Sequence, residues 1–146
     1  RLVQLVQGVD PLAIDDGEIR LANFALAHAS DPDVTAYAQS MLDYHDDHSS
    51  AMKTALFDLD VSAEDNRTSD ALRTEIDGAL VDLQTTGMFD YDYIRMEITL
   101  HAEAGVIVGH LENLIPYDAL ARFYGETRAS TEIHRNEAVV ILREKL

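Results

Sequence analysis

The chain has 146 residues, of which 47% are apolar, with seven glycines and three prolines; this suits one helix-rich domain with one core and excludes a disordered chain. Its 27 acidic residues against 11 basic ones give a net charge of −16, a surface that repels nucleic acid and anionic lipid and attracts cations or basic partners. The plain reading of that charge is solubility, including solubility at high salt. With no cysteine, disulfides and thiolate metal sites are excluded.

No stretch approaches the ~20 apolar residues that span a bilayer. No signal peptide is visible, and because the sequence starts at Arg1 rather than Met, removal of an upstream segment stays open. Leu2 to Gln7 reads as a short apolar turn or helix, broken by Gly8 and Pro11. A helix is expected from about Asp15 to Ala29, with Ile14, Glu18, Leu21, Ala25 and His28 on one stripe. Asp15, Asp16 and Glu18 fall near its start, where acidic groups suit the helix dipole.

The second helix has a clear start. Asp31 can cap it, Pro32 fits its first position and Asp33 adds negative charge. Its inner seam reads Val34, Ala38, Met41, His45, His48, Met52, Ala55, Leu59. A polar loop from Asp60 to Thr68 leads to a shorter helix from Ser69 to about Thr86, with Leu72, Ile76, Leu80 and Leu83 on one face and Gly87 ending it.

A third long helix is expected from Phe89 or Asp90 to about Ile115, stopped by Pro116. One seam reads Tyr93, Glu97, Leu100, Ala104, Ile107, Leu111, Leu114, and the adjoining one Ile94, Ile98, His101, Gly105, Val108. The fourth runs from about Asp118 to Lys145 on Leu120, Tyr124, Thr127, Thr131, His134, Ala138 and Ile141. No strand-like alternation competes. The expected fold is all-α, a four-helix bundle over residues 1–146 with a long crossover holding the extra short helix.

Ionisable residues fall at similar heights on these helices. Glu18 lies thirteen residues before Asp31 and His45 fourteen after it. Antiparallel helices would bring them level, about 20 Å from the turn at ~1.5 Å per residue. His101 lies fifteen residues before Pro116 and His134 eighteen after it, again within one turn of each other. Glu97 joins His101 at i, i+4.

Burying such groups costs several kcal/mol unless they are paired or bound to metal, so a shared layer asks for a reason. One reading is a divalent-metal site of Glu18, His45, His101, His134 and Glu97, since imidazole and carboxylate suit zinc, iron, manganese or copper. The other is a hydrogen-bonded polar layer in which each imidazole meets a carboxylate, a tyrosine such as Tyr44 or Tyr93, or water. His48 could be a second ligand or a core-edge residue. His28 reads as a helix-end residue, His110 as facing water, and Asp43, Asp46 and Asp47 as a solvated face.

Three motifs carry a resemblance. They are Met41-Leu-Asp-Tyr-His45 on the second helix, Phe89-Asp-Tyr-Asp-Tyr93 continuing to Glu97 and His101 on the third, and Ile133-His134-Arg-Asn-Glu-Ala138 on the fourth. Glu18-Ile-Arg-Leu-Ala22 matches more loosely on the first. Together they resemble the exported, ferritin-like domain-of-unknown-function family numbered 4142, often labelled an outer membrane protein. The resemblance covers nearly the whole chain. It implies a ferritin-like bundle, export beyond the cytoplasmic membrane and no established activity, and it carries the family's motif histidines onto His45, His101 and His134. Where the family has Asp before the second-helix histidine, this chain has Tyr44, with Asp43 one place earlier.

The di-iron pattern of Glu-x-x-His on two helices is absent, because Glu97 stands four residues before His101 and no carboxylate stands three before His45. Ferroxidase or oxygenase chemistry is therefore not expected. The function expected is metal binding by a bundle in an extracytoplasmic space. The alternatives are a metalloenzyme of unidentified reaction and a structural or interaction bundle with a polar core layer.

Overall fold

The structure, a computed structural model, describes residues 3–4, 11–62, 67–115 and 117–146. Five helices dominate: α1 (Pro11–His28), α2 (Pro32–Asp58), α3 (Arg67–Thr85), α4 (Phe89–Leu114) and α5 (Asp118–Glu144). Two short strands, β1 (Val3–Gln4) and β2 (Val61–Ser62), pair in parallel with Val3 opposite Val61. The class is all-α as expected. The strand pair corrects the expectation that the chain holds no strand. At two residues a strand it is too short to build a sheet. The chain divides into two compact halves, residues 1–86 and 87–146.

In the first half, α1 begins at Pro11, four residues before the expected start. Proline breaks a helix in its interior, but its fixed φ and missing N–H suit the first turn of one. Asp15 therefore sits a full turn inside α1, and the first turn holds no acidic residue. The dipole reading of Asp15 is corrected accordingly.

The start of α2 is as expected. Asp31 is extended, and its carboxylate accepts the backbone N–H of Asp33 at 2.8 Å and of Val34 at 3.4 Å. Such a cap contributes about 1 kcal/mol. Only residues 29–31 separate α1 from α2, so α2 turns back along α1.

Buried positions on α2 are Val34, Tyr37, Ala38, Met41, His45, Ser49, Met52 and Leu56. The expected seam holds at Val34, Ala38, Met41, His45 and Met52, while His48, Ala55 and Leu59 are only half-buried. Val34, Met41, His48 and Ala55 form a strict seven-residue series. On a straight helix such a series rotates off the buried face by ~20° per heptad. At the far end Asp60 takes a left-handed φ of 52°, closing α2 as Asp residues can.

α3 starts at Arg67, two residues before the expected start, and its 19 residues make it shorter than α2, α4 and α5, as expected. Its inner face is Ile76 and Leu83, flanked by half-buried Leu72 and Leu80, as the periodicity predicts. It packs on α1 where α1 lacks a side chain: a Cβ on Gly17 would lie 2.9 Å from Cγ1 of Ile76. An exposed ion pair from Arg20 to Asp77, at 2.7 Å, flanks this contact. It contributes about 0–1 kcal/mol at most.

In the second half, α4 and α5 pair along their length, joined across residues 115–117. Pro116, expected to stop α4, lies outside the described residues. α4 buries Tyr93, Ile94, Glu97, Leu100, His101, Val108 and Leu111, while Leu114 at its end is exposed, contrary to the expected seam. α5 buries Leu120, Tyr124, Thr131 and Ala138. α3 ends at Thr85, two residues before Gly87, and Gly87 has no positive φ.

The α1–α3 contact makes a paired prediction. Gly17→Val should lower unfolding free energy by about 1–3 kcal/mol through overpacking against Ile76. Gly78→Ala, where an added Cβ meets nothing within 4 Å, should raise it by about 0.5–1 kcal/mol through helix propensity. Urea denaturation of the two variants measures both.

Candidate metal centre

In the first half the ionisable core is built from α1 and α2. Asp15 and Glu18 stand one turn apart on α1 and are both buried. His45 is buried on α2 and His48 follows it one turn later, half-buried. Asp15 is 1% exposed, and its two oxygens hold the two rings. The Nδ1–H of His45 donates to Oδ1 at 2.8 Å and the Nδ1–H of His48 donates to Oδ2 at 2.7 Å.

Burial alone would push the Asp15 carboxyl up. The hydrogen bonds from His45 and His48, and then their charge, more than offset this, so the carboxyl is held below its ordinary value. Asp15 is thus ionised at neutral pH. An ionised carboxylate only accepts, so Nδ1 is the protonated nitrogen on both rings.

In the second half, α4 carries Tyr93, Glu97 and His101 on one face. Glu97 is 0% exposed and His101 is also buried. The Nδ1–H of His101 donates to the backbone carbonyl of Glu97 at 2.8 Å, and the Glu97 carboxylate oxygen Oε2 lies 3.3 Å from the same nitrogen. A carbonyl oxygen only accepts, which fixes His101 as a donor at Nδ1. His134 on α5 meets His101 edge-on, with ring centroids 5.7 Å apart.

The expected site residues therefore fall into two sets. The first half holds Glu18 and His45, and the second holds Glu97, His101 and His134. All but the half-buried His134 are buried, and all are of a chemistry that divalent transition metals accept. With Nδ1 committed as the donor in each buried histidine, Nε2 is the nitrogen left to ligate a metal when the ring is neutral. This is the tautomer and orientation that metal-ligating histidines adopt.

Sequence reasoning missed Asp15 as part of this group. It stands three residues before Glu18 and seven before Ala22, so it shares their face, and it lies sixteen residues before Asp31, level with His45 and His48. That signal was hidden by starting the helix at Asp15. The carboxylate that holds His45 comes from α1.

His110 lies where its phase predicts, and His28, though on the inner stripe of α1, lies at the helix end. His110 is exposed, and His28, also exposed, is held at the end of α1 by the Phe24 carbonyl at 2.8 Å. Asp43, Asp46 and Asp47 are exposed.

Replacing Asp15 with asparagine should destabilise the protein by about 1–3 kcal/mol at neutral pH, since it weakens two buried hydrogen bonds at once. The pH dependence follows from the direction of the shift. A carboxyl held below its ordinary value of ~3.9 stabilises the fold above that value and stops doing so as pH falls through its lowered range. The gap between wild type and Asp15→Asn in urea midpoints should therefore narrow below about pH 4. An equal gap at neutral and strongly acidic pH would contradict this.

Comparison with curated proteins found no match, and comparison with solved structures found none. A family profile described as a domain of unknown function, DUF4142, matches residues 12–139 and so spans every residue of both polar sets. The chain belongs to the DUF4142 family.

Proposed function

We propose that the protein is a metal-binding helical bundle of ferritin-like architecture, a single domain in which Glu18, His45 and His101 are ligands for a divalent transition metal ion. The observation that carries this reading is the orientation of the two imidazoles. Asp15 holds His45 by Nδ1 and the Glu97 carbonyl holds His101 by Nδ1, so each ring offers Nε2. Supporting it, Glu18, His45 and His101 are a buried carboxylate and two imidazoles, a donor set that could hold a metal ion. Two imidazoles and a carboxylate suit zinc, iron, manganese or copper.

Glu97 and His134, the neighbours of His101 in the second half, are the candidates for further ligands or for hydrogen-bonding support of the bound ion. Among the described residues no helix is long and apolar enough to cross a membrane. The family resemblance supports a location beyond the cytoplasmic membrane. A three-donor set leaves a coordination position for water or substrate, which is what a metalloenzyme would use; no reaction is assigned.

A second reading has an observation of its own. The hydrogen bonds of Asp15 with His45 and His48 make a polar cluster in the first half that needs no ion to form. Metal content separates the two. Protein prepared without chelator or nickel resin should carry a stoichiometric divalent ion. His101→Ala should abolish binding, and the exposed His110→Ala should not. Since protons compete for the imidazoles, affinity should weaken as pH falls through ~6.5. Absence of bound metal, with His101→Ala still destabilising by about 1–3 kcal/mol, would favour the polar layer instead.

A further inference from the structure

His48 is the histidine that the metal reading leaves without a task. It shares the Asp15 carboxylate with His45, one ring on each oxygen, at 2.7 Å and 2.8 Å. The three side chains are nearly enclosed, with exposures of 10% for His48, 8% for His45 and 2% for Asp15. Tyr44 stacks on the His48 ring at 5.5 Å and 24°, and meets the His45 ring edge-on at 5.0 Å. The four side chains form one packed unit on α1 and α2.

We propose that His48 is a positioning residue for the metal ligand His45, acting through Asp15 and not by touching the ion; this rests on the metal reading given above. A carboxylate held at one oxygen can still turn about its terminal torsion, which is broad. Held at both oxygens from different directions, its plane is fixed. The Nδ1–H of His45 then has one acceptor in one place, and the direction of its Nε2 is set. Tyr44 in turn fixes the plane of the His48 ring.

The phase of α2 argues against direct ligation by His48. Beyond His45 the buried face passes through Ser49, Met52 and Leu56, leaving His48 at its edge. Partners that orient ligating histidines in this way typically change metal affinity by 10–100-fold when removed.

The test is zinc titration of the intact protein, with metal-free melting curves beside it, for wild type, Asp15→Asn, His48→Ala, His48→Asn and the Asp15→Asn/His48→Ala double variant. Asp15→Asn should weaken zinc binding by about 10–100-fold. His48→Ala should weaken it by a smaller factor. His48→Asn, whose amide N–H can stand in for Nδ1–H, should restore most of the loss. The double variant should bind no more weakly than Asp15→Asn alone, because His48 acts only through Asp15.

Unchanged affinity in His48→Ala, or equal weakness in His48→Ala and His48→Asn, would overturn the proposal. So would a loss in His48→Ala that adds in full to that of Asp15→Asn, which is the signature of a direct ligand. If Asp15→Asn does not fold, the His48→Ala and His48→Asn pair decides alone. Wild-type protein that takes up no zinc, iron, manganese or copper would sink the metal reading, and this inference with it. Normal wild-type binding with an indifferent His48→Ala would sink this inference only.

Discussion

One buried carboxylate organises the polar core of the first half. Asp15 sits between two imidazoles and stays ionised because both donate to it. An ionised carboxylate enclosed without donors would cost several kcal/mol, so Asp15 and its histidines are tolerable only together. Their union ties α1 to α2 at a defined height and rotation, and it decides which nitrogen of His45 carries the proton. The same logic recurs in the second half with less apparatus. There a backbone carbonyl one turn back, at Glu97, fixes His101 as a donor at Nδ1.

These constraints work against simple packing. Apolar residues at Asp15, Glu18, His45, Glu97 and His101 would bury as well and need no partners, and replacing buried charged groups by apolar ones of similar volume is often neutral or stabilising. Glu97, wholly enclosed beside His101, is the clearest instance. Retaining polar groups at core positions of helices α1, α2 and α4 is what the metal-binding function proposed above would account for. The surplus of acidic groups elsewhere on the surface would raise local cation concentration without supplying the site.

Much of this was legible in the sequence. Asp31-Pro32 announced the start of α2, the buried faces of α4 and α5 followed their periodicity, and Glu18, His45, Glu97 and His101 were each expected on an inward face. Three things were not legible, each for a physical reason. Pro11, close after Gly8, reads as a break although proline suits the first turn of a helix, and that shift hides Asp15. The seven-residue series on α2 drifted off the core face, so Ser49 and Leu56 replaced His48, Ala55 and Leu59 as buried residues. The β1–β2 pair has two residues a strand, below what alternation can signal.

The most direct test of the central claim is the protonation state of the rings themselves, read by two-bond proton–nitrogen NMR correlation of nitrogen-labelled protein before and after zinc is added. The account predicts that His45 and His101 carry a proton at Nδ1 in metal-free protein, and that zinc shifts their Nε2 resonances while Nδ1 keeps its proton. Either ring lacking a proton at Nδ1, or Nε2 resonances of both rings unmoved by zinc, would contradict it.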